Sequence, residues 1–357
     1  MRILHMIPDI GISNGVMSNL LNYFSAMPDD VKFDVLYFSE KEQTRQKDIE
    51  ALGGRVYKID PPSPKDLLTN KMDSFFSEHK NEWSALHINC PHFALFIAPS
   101  AKKAGIKKIF VHCHTTYFSL KGNGARNRLL SLYAKYFIKD KLACSRESGR
   151  IWYGNKKFSV INNAVDCKRY SFSEFVRKNV RAKLNLSDNF VVCHIGKTDI
   201  QVKNHPFLLE IFARIKAKKN NAKLLLIGAV ETQELKALCN TLHISDDVVF
   251  YGFADNVNEL LQGADVFVFP SISEGLPVSV VEAQAASLPV LMSDAITDEV
   301  VITDDVVAAS LNDSADLWAD KAIEIADKQR KDNFDLMKNA GWDIHSCAEK
   351  LLSLYEG

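Results

Sequence analysis

Short apolar runs alternate along the whole chain with longer stretches in which apolar positions recur every three or four residues. A run of four to eight apolar residues between turn signals fits a strand buried on both faces, and the three-to-four spacing fits a helix covering it. In the first half the pattern predicts strands over 2–7, 32–38, 55–59, 84–88, 108–113, 141–144 and 158–162, with helices over 16–27, 64–79, 91–104 and 125–139. In the second half it predicts strands over 190–195, 223–227, 247–251, 264–269 and 288–292, and helices near 204–218, 231–242, 277–287 and 314–330. Such alternation is that of βαβ units and predicts an α/β fold with parallel sheets. The polar, charged stretch 167–189 suits a linker running into a helix, which leaves a domain over 1–166 and another over 190–340. Two doubly wound domains of similar size imply a cleft facing the carboxyl ends of both sheets, where such sheets bind ligands.

The length of 357 residues agrees with two domains, and 46% apolar with 25% charged residues is an ordinary globular composition. A net charge of zero conceals a strong polarity. Residues 101–160 hold 14 Lys or Arg against two acids, whereas residues 231–320 hold 17 Asp or Glu against one Lys. That asymmetry suits a polyanionic or membrane partner for the basic region, and the neutral total disfavours a nucleic-acid binder. Two solvated faces of opposite sign would produce the same counts. The seven cysteines include no Cys-x-x-Cys and several lie inside apolar runs, which predicts buried free thiols in a reducing compartment. The opening apolar run is broken by Pro8 and Asp9, too short for a signal peptide, and no apolar run approaches 18 residues. The expectation is a cytoplasmic protein.

The most informative segment runs from Ala264 to Gln284, Ala-Asp-Val-Phe-Val-Phe-Pro-Ser-Ile-Ser-Glu-Gly-Leu-Pro-Val-Ser-Val-Val-Glu-Ala-Gln. A buried strand ends at Pro270, a loop carries Glu274 and Gly275, Pro277 suits the first turn of a helix, and Glu282 follows over one turn into it. Two carboxylates eight residues apart thus share one strand–loop–helix corner. The free amides at the helix start can receive phosphate or sugar oxygens. A helix cap and a solvated surface acid would be the plain structural explanation of two isolated glutamates.

The Glu274–Glu282 spacing, with Glu-Gly-Leu-Pro and Glu-Ala-Gln around it, resembles the retaining, nucleotide-sugar-dependent glycosyltransferases of family 4. Upstream, His194-Ile-Gly196-Lys197 and Val202-Lys203-Asn204-His205 are similar to that family's phosphate-binding Gly-Arg and Lys-Asn pair. Leu225-Leu-Ile-Gly228 and Val249-Phe-Tyr-Gly252-Phe253 are similar to the two strand ends that hold the nucleotide, and Val160-Ile-Asn-Asn-Ala-Val-Asp166 to the family's Ile-Pro-Asn-Gly-Ile-Asp. The resemblance spans nearly the whole chain and is nearest to the bacterial exopolysaccharide and capsule subgroup. It implies the GT-B architecture, two facing Rossmann-like domains with parallel sheets and a central cleft, and a terminal helix within 341–357 returning toward the first domain. Two departures stand out. Lys197 replaces the family's arginine, keeping the charge and losing the bidentate fork, and Ala164 replaces a glycine.

By resemblance, Glu282 holds the ribose hydroxyls, Glu274 the donor sugar, and Gly15, Gly196, Lys197, Lys203, Gly228, Gly252, Phe253, Gly275, Leu276 and Pro277 complete the donor site. Charge grows on the leaving diphosphate in the transition state, and Lys197 and Lys203 can stabilise it without a metal. No Asp-x-Asp pair stands at a predicted strand end, so neither a metal nor a cofactor is expected.

In the first half, Asp9-Ile-Gly11-Ile-Ser-Asn14-Gly15 follows the first strand but lacks the Gly-x-Gly-x-x-Gly of a dinucleotide site, although Glu40 could pass for a ribose acid. A dehydrogenase is weakened by this and not eliminated. The resemblance brings Asn14 and Gly15 to the donor diphosphate and the acceptor; a tight turn alone would explain Gly15. His112 and His114 share a strand face as some metal ligands do, without an apparent third ligand. Lone strand histidines are more often structural, but His114 matches a family histidine near the acceptor and the transferred sugar, with a polar or electrostatic role. Segment 125–141 mixes Arg126, Arg128, Lys135, Lys139 and Lys141 with Leu129, Leu132, Tyr136 and Phe137, a composition that suits an anionic membrane surface and equally a helix packed on a sheet.

The expectation is a retaining transferase moving a sugar from a nucleotide donor, UDP-linked, to a lipid-linked glycan at the inner face of the cytoplasmic membrane, in surface polysaccharide biosynthesis. A sugar-nucleotide epimerase of the same fold and a non-catalytic sugar-nucleotide-binding subunit are the alternatives.

Overall fold

The computed structural model describes residues 1–12, 14–39, 43–63, 71–119, 122–198 and 200–357, with 200 and 201 described by backbone alone. Glu40 and the stretch 64–70 of one expected helix lie outside the described residues. The chain divides into two compact units, Met1–Ala164 with Ile344–Gly357, and Val165–Asp343.

Unit 1 carries strands β1 (Arg2–Met6), β2 (Lys32–Tyr37), β3 (Val56–Lys58), β4 (Ala85–Ile88), β5 (Lys108–Cys113), β6 (Asp140–Ala143) and β7 (Ser159–Val160), ordered β3-β2-β1-β4-β5-β6-β7 with every pairing parallel. Unit 2 carries β8 (Phe190–Ile195), β9 (Ala222–Ile227), β10 (Val248–Gly252), β11 (Val266–Phe269), β12 (Val290–Ser293) and β13 (Val306–Ala309), ordered β10-β9-β8-β11-β12-β13 and again all parallel. In each sheet the chain leaves the first strand in one direction and then returns to its other side. The loops after β1 and β4, and after β8 and β11, therefore part company and open a crevice at the carboxyl edge.

The strands are apolar on both faces because helices cover both. In unit 1, Leu4, Met6, Leu86, Ile88 and Val111 face a cluster with Ile97, Ala98 and Ala101 of the helix Ala94–Lys103. Ile3, Phe33, Val35, Ala85 and Phe110 face the other way, under the helices Gly15–Ala26 and Ile344–Glu356. The second of these turns Ile344, Cys347, Ala348, Leu351 and Tyr355 inward, the three-to-four spacing of an amphipathic helix. In unit 2, Val192, Leu224, Leu226, Val266, Val268 and Leu291 pack with Leu208 and Phe212 of the helix His205–Lys218 and Trp318 of Ala315–Ala326.

All twelve expected strands are present. The sequence pattern missed β13, whose Val-Val-Ala-Ala follows two aspartates and is half-exposed, so it never reads as a buried run. It also missed Arg146–Tyr153, Val257–Gly263 and Phe334–Asn339, helices of about two turns, shorter than the window over which a helical period is read. The stretch 167–189 is not a linker. It forms the helices Cys167–Tyr170 and Glu174–Lys183 within unit 2. Its polar residues are there to bind: Arg177 and Arg181 pair with Asp265, whose Oδ2 also accepts the Val191 amide at 2.7 Å, and Arg177 Nη1 donates to the Gln262 carbonyl at 3.0 Å.

Candidate active site

In unit 2 the switch point lies between β8 and β11. Beyond β8 come Gly196 and Lys197, then the short helix Ile200–Lys203. Asn204 adopts the left-handed conformation (φ 58°) and starts the helix His205–Lys218, which has proline in its first turn. Beyond β11 the loop runs to Pro277, which is the N-cap of Val278–Ala285, one position before the first turn, and no side chain caps that end.

These two loops bring Lys203 and Glu274 together, Nζ to Oε1 at 2.7 Å, both largely buried. The pair is a charge contact, since Oε1 makes no aligned hydrogen bond. Lys203 Nζ also stands 4.7 Å above the Phe269 ring, a cation–π contact at the end of β11. The lysine stem lies against Gly196, where a Cβ would come within 2.9 Å of Lys203 Cδ and 3.0 Å of His194 Nε2. Any side chain there would push the Lys203 stem away from its place. Gly228 and Gly252 take positive φ (81° and 74°), and the Gly228 amide donates to the Gly252 carbonyl at 2.6 Å. The ends of β8, β9 and β10 thus form a shelf of backbone beside the Lys203–Glu274 pair. Lys197 is exposed on it.

Glu282 sits one turn inside Val278–Ala285, and its Oε1 accepts a hydrogen bond from the Tyr170 hydroxyl at 2.7 Å. Burial pushes its carboxyl up to about 7, against the pull of Tyr170. Leu276 and Pro277 are buried and shape the loop, with Gly275 half-buried before them. Phe253 is half-exposed on the loop after β10, with Val230 and Ile272 also exposed on the loops after β9 and β11. Thr198 ties the first two loops of this sheet together, donating to the Val230 carbonyl and accepting its amide, both at 2.9 Å. Sequence reasoning found Phe253 but not Val230, Ile272, Thr198 or Tyr170. Single apolar or hydroxyl residues in polar loops carry no periodic signal.

Unit 1 presents a different chemistry. His5 on β1, His87 on β4 and His112 on β5 lie on the face that also carries Ile3, Ala85 and Phe110, as the two-residue period of a strand requires. His87 joins His112 (Nε2 to Nδ1, 3.2 Å) and the Tyr355 hydroxyl (2.6 Å), and the His112 and His114 rings are 4.0 Å apart. His114 Nε2 is 3.0 Å from Asn89 Oδ1, while Asn89 Nδ2 donates to the Met6 carbonyl at 3.2 Å. Because that carbonyl fixes which end of the amide is nitrogen, His114 Nε2 must carry the proton, and Nδ1 is left as an acceptor. Burial holds His114 down at about 4 with Asn163 pulling the other way, His5 down at about 3, and His87 and His112 well below the usual imidazole range. The cluster is neutral at pH 7. Among the described residues no group of three or more His, Cys, Asp or Glu is placed to hold a metal ion.

Asn14 is engaged as a helix cap. Its Oδ1 accepts the amides of Val16 (2.9 Å) and Met17 (3.3 Å), and its Nδ2 donates to the Asp9 carbonyl at 2.7 Å. That leaves one Nδ2 proton for the acceptor-side role expected of it. Gly15 opens the helix Gly15–Ala26 with open space where a Cβ would stand, so crowding does not require glycine there. Further along, the helix Gly124–Phe137 buries Asn127, Ser131 and Ala134, packs Leu130 and Tyr133 partly on the core, and exposes Leu129, Leu132, Tyr136 and Phe137. A cavity of about 620 Å³ at its end is lined by Lys135, Lys139, Lys141, Lys156 and Lys157 together with Phe137. No helix among the described residues is long and apolar enough to cross a membrane.

Residues 176–341 match the family model of glycosyl transferases group 1. Over 99% of this chain and 96% of the relative's length, the sequence is 26% identical to EpsF of Bacillus subtilis (strain 168), which is named as a glycosyltransferase. A 140-residue stretch, 39% of this chain and 35% of the relative, is 29% identical to the N-acetylgalactosamine-N,N'-diacetylbacillosaminyl-diphospho-undecaprenol 4-alpha-N-acetylgalactosaminyltransferase of Campylobacter jejuni. Among solved structures, HepE of Anabaena in complex with UDP superposes with a TM-score of 0.81 at 18% identity, covering 100% of both chains. Over residues 176–341 the chain is thus similar to the group 1 glycosyltransferases, and its two parallel, doubly wound sheets have the GT-B fold.

Proposed function

We propose that this transferase takes its sugar from a UDP-linked donor held by unit 2 and passes it, with retention, to a hydroxyl of a lipid-linked glycan received by unit 1. The observation that carries the reading is the Lys203–Glu274 pair beside the Gly196 shelf at the switch point. A nucleoside diphosphate leaves with growing negative charge on its oxygen, and Lys203, its stem against Gly196, and Lys197, the next residue, are cations at the shelf where that charge would lie. Before the donor arrives, Glu274 neutralises Lys203 and keeps it oriented; afterwards the phosphate shares the lysine and Glu274 turns to the sugar hydroxyls. Glu282 accepts from the ribose. His114, neutral and with Nδ1 as acceptor, takes a hydroxyl hydrogen bond and is too weak a base to remove the acceptor's proton, which passes to the departing phosphate oxygen on the same face.

UDP bound to HepE on the same fold supports the choice of base, and the diphospho-undecaprenol substrate in the Campylobacter enzyme's name supports the acceptor class. Attachment at the inner face of the cytoplasmic membrane completes the reading, through the exposed Leu129, Leu132, Tyr136 and Phe137 and the lysine-lined cavity beside them. Vesicles containing phosphatidylglycerol should sediment the protein and phosphatidylcholine vesicles should not; equal behaviour refutes the membrane contact.

The deciding experiment is a thermal-shift panel of UDP, GDP, ADP and NAD without metal, followed by a UDP-release assay on the donor that binds. A ligand at about 100 times its Kd stabilises the fold by roughly 2.7 kcal/mol. A shift with UDP alone supports the reading, a shift with NAD overturns it, and UDP binding without donor consumption under any acceptor favours a binding subunit.

A further inference from the structure

Tyr170 lies outside the strand–loop–helix corner that carries both glutamates, yet its hydroxyl donates to Glu282 Oε1 from 112 residues away. The tyrosine is held firmly. Asp166 Oδ1 accepts the Arg169 amide at 2.9 Å and starts the helix Cys167–Tyr170. The Tyr170 carbonyl accepts from Gln262 Nε2 at 2.9 Å, and Gln262, itself buried, accepts the Ser173 amide at 3.0 Å. The phenol is thus anchored through a side chain that also fixes the next turn of chain.

We infer that Tyr170 is a positioning residue of the donor site: its hydroxyl pins one oxygen of Glu282, leaves the other for the ligand, and favours the ionised carboxylate that accepts hydroxyl groups. This rests on Glu282 being the ribose ligand. A phenol that donates to a carboxylate stabilises its charged form, whereas burial without a donor would leave a neutral acid that competes with the ribose as a donor itself. Burial and Tyr170 are the two influences on Glu282, which stands at about 7 between them. No other charged side chain among the described residues acts on it. Tyr170 in turn feels Arg169 and Asp166 from its own helix and cap. The helices packed on it from Val257–Gly263 and Phe334–Asn339 bring Glu259, bonded to Asn256 at 3.3 Å, and Asp335 and Lys338, the last set over Phe334 at 5.8 Å. None of these acts on Glu282.

The test is calorimetric titration with UDP, without metal, from about pH 6 to 8.5 on the wild type, Tyr170→Phe and Glu282→Gln. In the wild type the affinity should rise through an acid limb centred near pH 7, the carboxyl midpoint. In Tyr170→Phe that limb should move up by about one unit, giving roughly fivefold weaker binding at pH 7 and less than a twofold difference at pH 8.5. Glu282→Gln should bind weakly throughout and report the titration of the diphosphate itself, which is subtracted from the other two. Uniform weakening of Tyr170→Phe at every pH, or a profile identical to the wild type, overturns the inference while leaving Glu282 as the ribose ligand. Normal binding by Glu282→Gln overturns the ribose assignment and the inference with it. The absence of an acid limb in the wild type overturns the inference without recourse to any variant.

Discussion

Over their first six strands the two units share one order, and they treat polar groups beneath the carboxyl edge in opposite ways. Unit 1 gathers His5, His87, His112, His114, Asn89 and Tyr355 into a neutral network in which imidazoles bond to one another, to an amide and to a phenol. Unit 2 keeps charges, a lysine against a glutamate and a second glutamate against a tyrosine. Buried neutral groups need only hydrogen bonds, while buried charges need partners that a ligand can later replace. The contrast suits a division of labour: the charged unit meets a diphosphate and the neutral unit meets hydroxyl groups.

The comparison breaks most visibly at Lys203. Lys203→Ala should reduce transfer by about 10²–10³, the scale of losing one preorganised group that stabilises developing charge, and Glu274→Ala should also fall sharply. Initial rates of UDP release, with circular dichroism to check the fold, measure this; near-normal turnover in both variants would make the pair merely structural.

Next in size is the acid response of unit 1. Its histidines have folded values below the unfolded one, so the unfolded chain binds more protons, and stability drops as pH falls from about 6.5 through those values. His114 alone, at about 4 against 6.5, is worth up to about 3 kcal/mol. Hydrogen exchange at pH 5 and 7 should show unit 1 opening first in acid, and His114→Gln should flatten the dependence.

Unit 2 should behave in the opposite sense at Glu282. Its folded value of about 7 lies above the unfolded 4.5, so the stability linked to it is full below pH 4.5 and is lost as pH rises through 7. Glu282→Gln should therefore melt a few degrees higher than the wild type at pH 8 while losing UDP affinity. A lower melting temperature would mean that the carboxylate is better satisfied than its single bond to Tyr170 indicates. The smallest effect belongs to Asn14, where replacing the cap with alanine should cost about 1 kcal/mol of stability, read from denaturant midpoints.

Sequence and structure agree where the physics is local. Runs such as Val266–Phe269 are apolar because helices cover both faces, and that alone reveals the strand. The Glu274–Glu282 spacing was readable because strand, loop and helix follow one another in sequence. Tyr170 with Glu282 and Tyr355 with His87 were not, since partners 112 and 268 residues apart leave no spacing to recognise. Likewise nothing local tells which leucines of Gly124–Phe137 face the core, as Leu130 does, and which face outward, as Leu129 and Leu132 do.

The helix Ile344–Glu356 closes unit 1, yet the ribosome makes it only after all of Val165–Asp343. Until that helix is made, the Ile3, Phe33 and Phe110 face of unit 1 lacks the cover of Ile344, Leu351 and Tyr355, and His87 lacks the Tyr355 hydroxyl. The first strands made thus wait for the last helix, and a nascent chain stalled before Ile344 exposes an apolar surface for a chaperone to hold.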